Sequence, residues 1–377
     1  MTEKHTLLFL IPSLRGGGAE RVAANLIPFL SRHFHLVLVL LEDKIEYNIP
    51  SNGFILKTMS DELGSPLAHL IHIPIHLVSL INLIKQSKAE LVLSFMEQAN
   101  ILNLLAAKIT GHKTVITQHV VPSKQFNHKG ILGKAILKTS KKLYPDANLI
   151  ITVSDGIIHD LKNLYHIDEK NMVMIPNPID CDLIQNYSKK PSKMQLPDKF
   201  FLCVGRLVMK HKAQDIALNA FKKTLKLFPN TKLIFAGEGA DYNRLKDLAD
   251  KLTVTPNIVF AGWRRDIWSI MSRATATILP SRYEGWPMVL IEAMAAGSPV
   301  IATDCPSGPK EILDNGRFGM LIPVEDSDAL ADAMIKMASS ASIQDYYKKL
   351  GQKRAKEFDI EKIGIKYVQE LSKIIEN

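Results

Sequence analysis

Ser281-Arg282-Tyr283-Glu284-Gly285-Trp286-Pro287-Met288-Val289-Leu290-Ile291-Glu292 places two carboxylates, with seven residues between them, across a strand-to-helix turn. Ahead of it, Ala274 to Pro280 is an apolar β-like run closed by a proline. Pro287 suits the first turn of a helix, where a missing N–H costs nothing. Gly297 and Pro299 then stop that helix. Glu284 is therefore expected on a loop at the carboxyl end of a strand, with Glu292 on the helix that follows. Open parallel sheets bind ligands at that edge. The amides from Trp286 to Val289 suit an anion such as a diphosphate. Carboxylates beside an anion repel it unless they bind something else, and hydroxyls are the obvious partners. The turn reads as a pocket for a molecule anionic in its middle and rich in hydroxyls at both ends. A nucleotide sugar fits that description.

Outward from this turn, apolar runs recur with helical segments between them. The first half has Thr6–Ile11, His35–Leu41, Glu90–Phe95, Thr114–Gln118, Asn148–Val153 and Met172–Ile175. The second has Phe200–Val204, Lys232–Ala236, Asn257–Ala261, Ala274–Pro280, Pro299–Thr303 and Gly319–Ile322. Continuous apolar strands alternating with helices indicate parallel sheets covered on both faces. Two such sets predict an α/β protein of two doubly wound, Rossmann-like domains facing a central cleft. Residues 1–190 form the first domain and 191–358 the second, with the polar, proline-punctuated stretch Asn186 to Lys199 as linker. The segment 359–377 reads as an amphipathic helix.

Composition narrows the class. At 377 residues, 46% hydrophobic and 23% charged, the chain is ordinary globular material with room for two cores. Cys181, Cys203 and Cys305 are scattered, which argues against a disulfide scaffold or zinc site and fits a reducing compartment. No signal peptide is visible, since glycines follow the short apolar run Leu7 to Ile11. The longest apolar stretch, Leu67 to Ile84, carries His69, His72, Pro74 and His76 and falls below the ~20 clean apolar residues of a membrane span. Net charge is +9, and from Gln98 through Tyr144 there is no Asp or Glu. That stretch holds Lys108, Lys113, Lys124, Lys129, Lys134, Lys138, Lys141 and Lys142, a field that attracts anionic head groups or phosphates. A solvated helix face is the plain alternative. Nucleic acid is disfavoured, because few aromatics accompany the charge and no binding motif is present.

The paired carboxylates resemble the Glu-x7-Glu signature of retaining glycosyltransferases of the GT-B fold, in the family known as GT4. Gly205-Arg206-Leu207 with Lys212, Gly237-Glu238-Gly239, Asn177-Pro178-Ile179-Asp180 and Gly16-Gly17-Gly18-Ala19-Glu20-Arg21 resemble the same family, in its order. The resemblance runs from about residue 6 to 330. The stretch Asp43-Lys44-Ile45-Glu46-Tyr47-Asn48-Ile49-Pro50 looks more narrowly like bacterial enzymes that extend glycans on undecaprenyl diphosphate. The resemblance implies a nucleotide sugar donor (UDP with an N-acetylhexosamine) and a lipid-linked glycan acceptor. It implies no cofactor or metal. It assigns the ribose hydroxyls to Glu292, the diphosphate to Arg206 and Lys212, and the donor sugar to Glu284. The turn Gly285, Trp286, Pro287, Met288 and Val289 supplies N–H groups, and Gly237 lines the donor site. Gly16, Gly17, Gly18 and His119 fall to the first domain, facing the transferring sugar and acceptor. The family's crossing C-terminal helix corresponds to 359–377. The usual Lys-Gly pair is Lys212-Ala213 here, with Lys210 an alternative register. The reaction would take place at the cytoplasmic face of the inner membrane, with the basic stretch 98–144 on the anionic leaflet. The same fold also serves nucleotide-sugar epimerases, phosphorylases and non-catalytic partner subunits.

Three motifs read otherwise. The dinucleotide fingerprint and the phosphate loop are absent, which disfavours a nicotinamide dehydrogenase. His69, His72 and His76 share helical spacing, but Pro74 interrupts the run, so contact with head groups or an acceptor phosphate is favoured over metal. Asp180-Cys181-Asp182 imitates a metal-binding Asp-x-Asp, yet it follows Pro176-Asn177-Pro178-Ile179 and reads as a helix cap.

Overall fold

The computed structural model describes residues 4–47, 49, 53–59, 66–126 and 130–376. Two compact units emerge, Met1–Pro178 with Ile360–Asn377, and Ile179–Asp359.

The first unit is built on seven parallel strands. These are β1 (Thr6–Ile11), β2 (His35–Leu40), β3 (Phe54–Thr58), β4 (Leu91–Phe95), β5 (Lys113–Gln118), β6 (Leu149–Thr152) and β7 (Met172–Met174). Their spatial order is β3-β2-β1-β4-β5-β6-β7. The second has six, β8 (Phe200–Val204), β9 (Lys232–Ala236), β10 (Ile258–Gly262), β11 (Ala276–Leu279), β12 (Val300–Thr303) and β13 (Met320–Ile322). Their order is β10-β9-β8-β11-β12-β13. Leu7 through Ile11 and Phe201 and Leu202 are fully buried, because helices cover both faces of each sheet. In both sheets the chain steps outward from its first strand, then returns to that strand's other side. Neighbouring loops diverge there, between β1 and β4 and between β8 and β11, and open a crevice at the strands' carboxyl ends.

β3 was not expected from the sequence. It is an edge strand paired only with β2, and Ile55 and Leu56 are exposed. It lacks the doubly buried apolar run by which the other strands announce themselves. The division between units falls at Pro178–Ile179 rather than near residue 190. The helix Cys181–Ser188 belongs with the second unit, where Tyr187 meets Trp268 edge-on and the Ser272 hydroxyl donates to Ser188 O (2.9 Å). Asp180 caps this helix by accepting from Leu183 N (2.7 Å). The helix Pro66–Ser87 runs through Pro74 instead of breaking there. His76 is fully buried, so it turns away from head groups, while the side chains of His69 and His72 lie outside the described residues. No described helix is long and apolar enough to cross a membrane.

The last helix, Ile360–Glu376, returns to the first unit and packs on the helix Gly18–Leu30. Gly364 permits the approach, since a Cβ there would lie 2.5 Å from the Phe29 ring. Arg32 and Glu361 pair at 2.7 Å on the rim.

Candidate active site

The loop after β8 is shaped by the loop after β9. Gly205 and Gly237 hold φ of 144° and 146°, and a Cβ on Gly237 would sit 2.0 Å from Gly205 O. A Cβ on Gly239 would sit 2.3 Å from Leu207 O. Backbone therefore lies on backbone, with Leu207 N donating to Glu238 O (2.9 Å) and Asp241 N to Leu207 O (3.0 Å). Asp241 Oδ2 then accepts from Met209 N (2.8 Å), at the start of the one-turn helix Met209–Lys212. This cradle explains the Gly-Glu-Gly sequence by packing. Its consequence is to present Arg206 exposed at the sheet edge and to turn Lys212 inward. Lys210 is exposed, so Lys212 is the cation that faces the carboxylate.

The turn after β11 is held equally firmly. Glu284 is buried, and its Oε1 accepts from Lys212 Nζ and from Ser281 Oγ, each at 2.6 Å. Burial by itself would raise the Glu284 carboxyl. The Lys212 ammonium and the hydrogen bonds from Lys212 and Ser281 outweigh burial and hold it below the ordinary carboxylate value. Its backbone is clamped by the loop after β12, where Glu284 N donates to Pro306 O (2.8 Å) and Ser307 N to Glu284 O (2.9 Å). Gly308 lets that loop close, as a Cβ there would be 2.8 Å from Gly285 O. Arg282 anchors the turn from beneath through a two-pronged contact with Asp215 (3.0 and 3.1 Å) and a pairing with Glu325.

The helix that follows is Met288–Ala296, with Pro287 at its N-cap, one position earlier than expected, and Gly297 left-handed (φ 86°) at its C-cap. Pro287 carries no N–H, so the donors of this turn are the amides around it. Glu292 lies one turn into the helix and is buried. The Trp286 indole is also buried, edge-on to Phe358, which leaves its backbone as the part that faces the edge.

Two residues that sequence reasoning passed over complete this edge. His211 stacks face to face on Tyr283, with centroids 4.2 Å apart and planes 9° from parallel. His211 Nε2 points at Glu284 Oε2 from 3.9 Å. No chemical motif marks them. The Ser307-Gly308 clamp did leave a signal, since glycine between Pro306 and Pro309 directly after a strand indicates a shaped turn at the same sheet edge.

Two doubly wound sheets in one chain are matched by known proteins. The family model for Glycosyltransferase Family 4 matches residues 16–183, and that for Glycosyl transferases group 1 matches 185–356. A Campylobacter jejuni protein is 30% identical over 359 residues, 94% of this chain and 96% of that one. It is an N-acetylgalactosamine-N,N'-diacetylbacillosaminyl-diphospho-undecaprenol 4-alpha-N-acetylgalactosaminyltransferase. This chain belongs to glycosyltransferase family 4. An Escherichia coli relative of this glycosyltransferase, a UDP-Gal:alpha-D-GlcNAc-diphosphoundecaprenol alpha-1,3-galactosyltransferase, is 25% identical over 76% of each chain. Anabaena HepE in complex with UDP shares the fold, with a TM-score of 0.81 and 20% identity over 98% of this chain and all of that one. The fold of the glycosyltransferase is GT-B.

In the first unit, the corresponding edge carries the other expected residues. Gly16 and Gly17 follow β1 and lead into the helix that begins at Gly18. Glu46 and Tyr47 hold this loop, Gly16 N donating to Glu46 Oε2 (3.0 Å) and Tyr47 Oη to Gly17 O (2.9 Å). Asn48 and Pro50, which complete the narrower resemblance, lie outside the described residues. His119 follows β5 and stacks on Phe95 at 4.9 Å, its Nε2 3.0 Å from Thr117 Oγ1. The Thr117 hydroxyl donates to Ser94 O, so Nε2 is the nitrogen that carries hydrogen. Burial lowers its pKa to about 4, against a smaller upward pull from Asn177, and the ring is neutral at neutral pH. Lys134, Lys138, Lys141 and Lys142 are exposed on the helix Gly130–Leu143. Lys108 pairs with Asp146 at 3.0 Å, which trims the basic field, and Lys129 lies outside the described residues.

Proposed function

We propose that this glycosyltransferase transfers an N-acetylhexosamine from a UDP-sugar to a hydroxyl of a glycan carried on a lipid diphosphate, retaining anomeric configuration. The observation that carries the donor side is the Lys212–Glu284 pair (2.6 Å), which joins the loops after β8 and β11 at the switch point of the second sheet. A cation and a carboxylate fixed on one edge match the alternating anionic and hydroxyl chemistry of a sugar nucleotide. Arg206 and Lys212 take the diphosphate, Glu284 a sugar hydroxyl and Glu292 the ribose. Gly285, Met288 and Val289 offer amides. The first unit's Gly16, Gly17, Gly18 and His119 serve the transferring sugar and its acceptor.

During transfer the bond from the sugar's C1 to the diphosphate oxygen breaks, and the acceptor oxygen bonds to C1 on the same face. The acceptor's proton passes to the departing diphosphate. Charge grows on that diphosphate, and Arg206 and Lys212 stabilise it without a metal ion. The Campylobacter and Escherichia relatives, whose names specify diphosphoundecaprenol acceptors, support the lipid-linked acceptor. The exposed lysines of Gly130–Leu143 suit contact with an anionic cytoplasmic leaflet, at ~1 kcal/mol for each that reaches the surface.

The test is transfer from UDP-N-acetylgalactosamine to an undecaprenyl-diphosphate-linked glycan in chelator-treated and vesicle-bound preparations. The product should gain one N-acetylhexosamine in α linkage, seen by mass spectrometry and NMR. Donor hydrolysis without transfer, or an inverted product, would contradict the reading.

A further inference from the structure

His211 stands where the cations and the carboxylate of the second unit meet. The stack on Tyr283 fixes the plane of its ring, and its backbone is tied too, Arg282 N donating to His211 O (2.9 Å). The imidazole therefore cannot swing away. Its Nε2 is shielded from solvent and has no hydrogen-bond partner. Buried polar nitrogens without partners are rare, and one fixed at a functional edge calls for an explanation. Glu284 is asymmetric in a matching way. Its Oε1 takes both Lys212 and Ser281, whereas its Oε2 faces His211 Nε2 across 3.9 Å, too far for a hydrogen bond.

The charges around the ring explain why that contact is open. Burial disfavours imidazolium most. Glu284 favours it, while Lys212 on the same short helix and Arg206 on the loop after β8 oppose it, and the hydrogen bond with Tyr283 backbone favours it. The net effect holds His211 below the ordinary histidine value and neutral. A diphosphate seated on Arg206 and Lys212 cancels those two opposing charges and adds negative charge of its own, so that burial alone is left to oppose imidazolium, against Glu284, the Tyr283 backbone and the ligand.

We propose that His211 is a positioning residue for Glu284: seating of the donor diphosphate makes the imidazole take up one proton from solvent, and Nε2–H closes onto Glu284 Oε2. This rests on the assignment of Arg206 and Lys212 to the diphosphate. The proton comes from the buffer and returns to it when the nucleotide leaves, so no bond is made or broken. The effect is to fix both carboxylate oxygens only when donor is present.

Calorimetric titration of the full-length enzyme with UDP-N-acetylgalactosamine tests this. That donor's diphosphate diester has no group of its own titrating near neutral pH. Binding enthalpies in two buffers of different ionisation enthalpy, at pH 7, give the protons exchanged. The parent should take up a substantial fraction of one proton, and H211Q should bind donor with affinity within about threefold while taking up none. H211Q should also lose about tenfold in kcat with little change in donor KM, because Glu284 is less well fixed. Donor binding with no proton uptake in the parent, or undiminished uptake in H211Q, would overturn the role of His211. Failure of the parent to bind this donor would instead overturn the proposed donor, and R206A that binds it as tightly as the parent would overturn the diphosphate assignment beneath the proposal.

Discussion

The two sheets turn at equivalent points, yet their edges differ in kind. In the second unit the switch point between β8 and β11 is charged and clamped, with Lys212 and Glu284 paired at 2.6 Å and four loops bound backbone to backbone around them. In the first, the corresponding loops carry glycines and a neutral imidazole. The same topology has been used once to build a fixed electrostatic site and once to allow close approach. Under the proposed function the diphosphate falls to the first kind of edge, where its developing charge meets groups already in place, and the acceptor hydroxyl to the second.

That contrast predicts unequal losses. Arg206→Ala should lower turnover by about 3 kcal/mol, on the order of a hundredfold, because it removes one preorganised charge from the leaving group. His119→Ala should cost only about 0.5–1.5 kcal/mol, as expected for one neutral hydrogen bond. Steady-state transfer assays on folded variants check both, and a His119 variant worse than the Arg206 variant would break the comparison.

Acid should weaken the first unit in a defined window. His119 and His112 are both lowered to about 4 by burial, from an unfolded value near 6.5. Between those values the unfolded chain binds protons that the native unit does not. Stability is therefore complete above about 6.5 and is lost as pH falls through about 4, by at most about 3 kcal/mol for each histidine. Urea unfolding at several pH values should show this slope, and His112→Gln should reduce it. No slope in the parent would show that neither ring is held neutral in the native fold, and an unchanged slope in the variant would remove His112 alone.

The smallest effect concerns the cradle itself. Ala213 occupies a left-handed conformation (φ 49°, ψ 40°) and is buried where the short helix carrying Lys212 ends. A residue with a Cβ is strained there by about 1–2 kcal/mol, part of which glycine's greater unfolded entropy offsets. Ala213→Gly should raise stability by about 0.5–1 kcal/mol in thermal unfolding with turnover retained.

These details mark how far the sequence is legible. Strands buried on both faces carry long apolar runs, so β1, β8 and β11 were plain, whereas the exposed edge strand β3 had no such run to show. Glu284 and Lys212 were legible because charge beside strand ends is conspicuous. Their partnership was not, since it depends on loops 72 residues apart meeting at one switch point. His211 and Tyr283 were invisible for the same reason. Neither residue type signals chemistry until the stack and the 3.9 Å approach to Glu284 are seen. Gly237 has a packing reason as well, backbone lying against Gly205, which sequence alone could not show.

Under the proposed function the two carboxylates do separate work, Glu292 on the helix taking the nucleotide and Glu284 on the turn taking the sugar. Calorimetry with UDP, which lacks the sugar, separates them most directly. Glu292→Ala should bind UDP about tenfold or more weakly, as loss of a hydrogen bond to a charged group implies. Glu284→Ala should keep UDP affinity near the parent's while its turnover falls. A Glu292 variant that binds UDP as tightly as the parent would contradict the account.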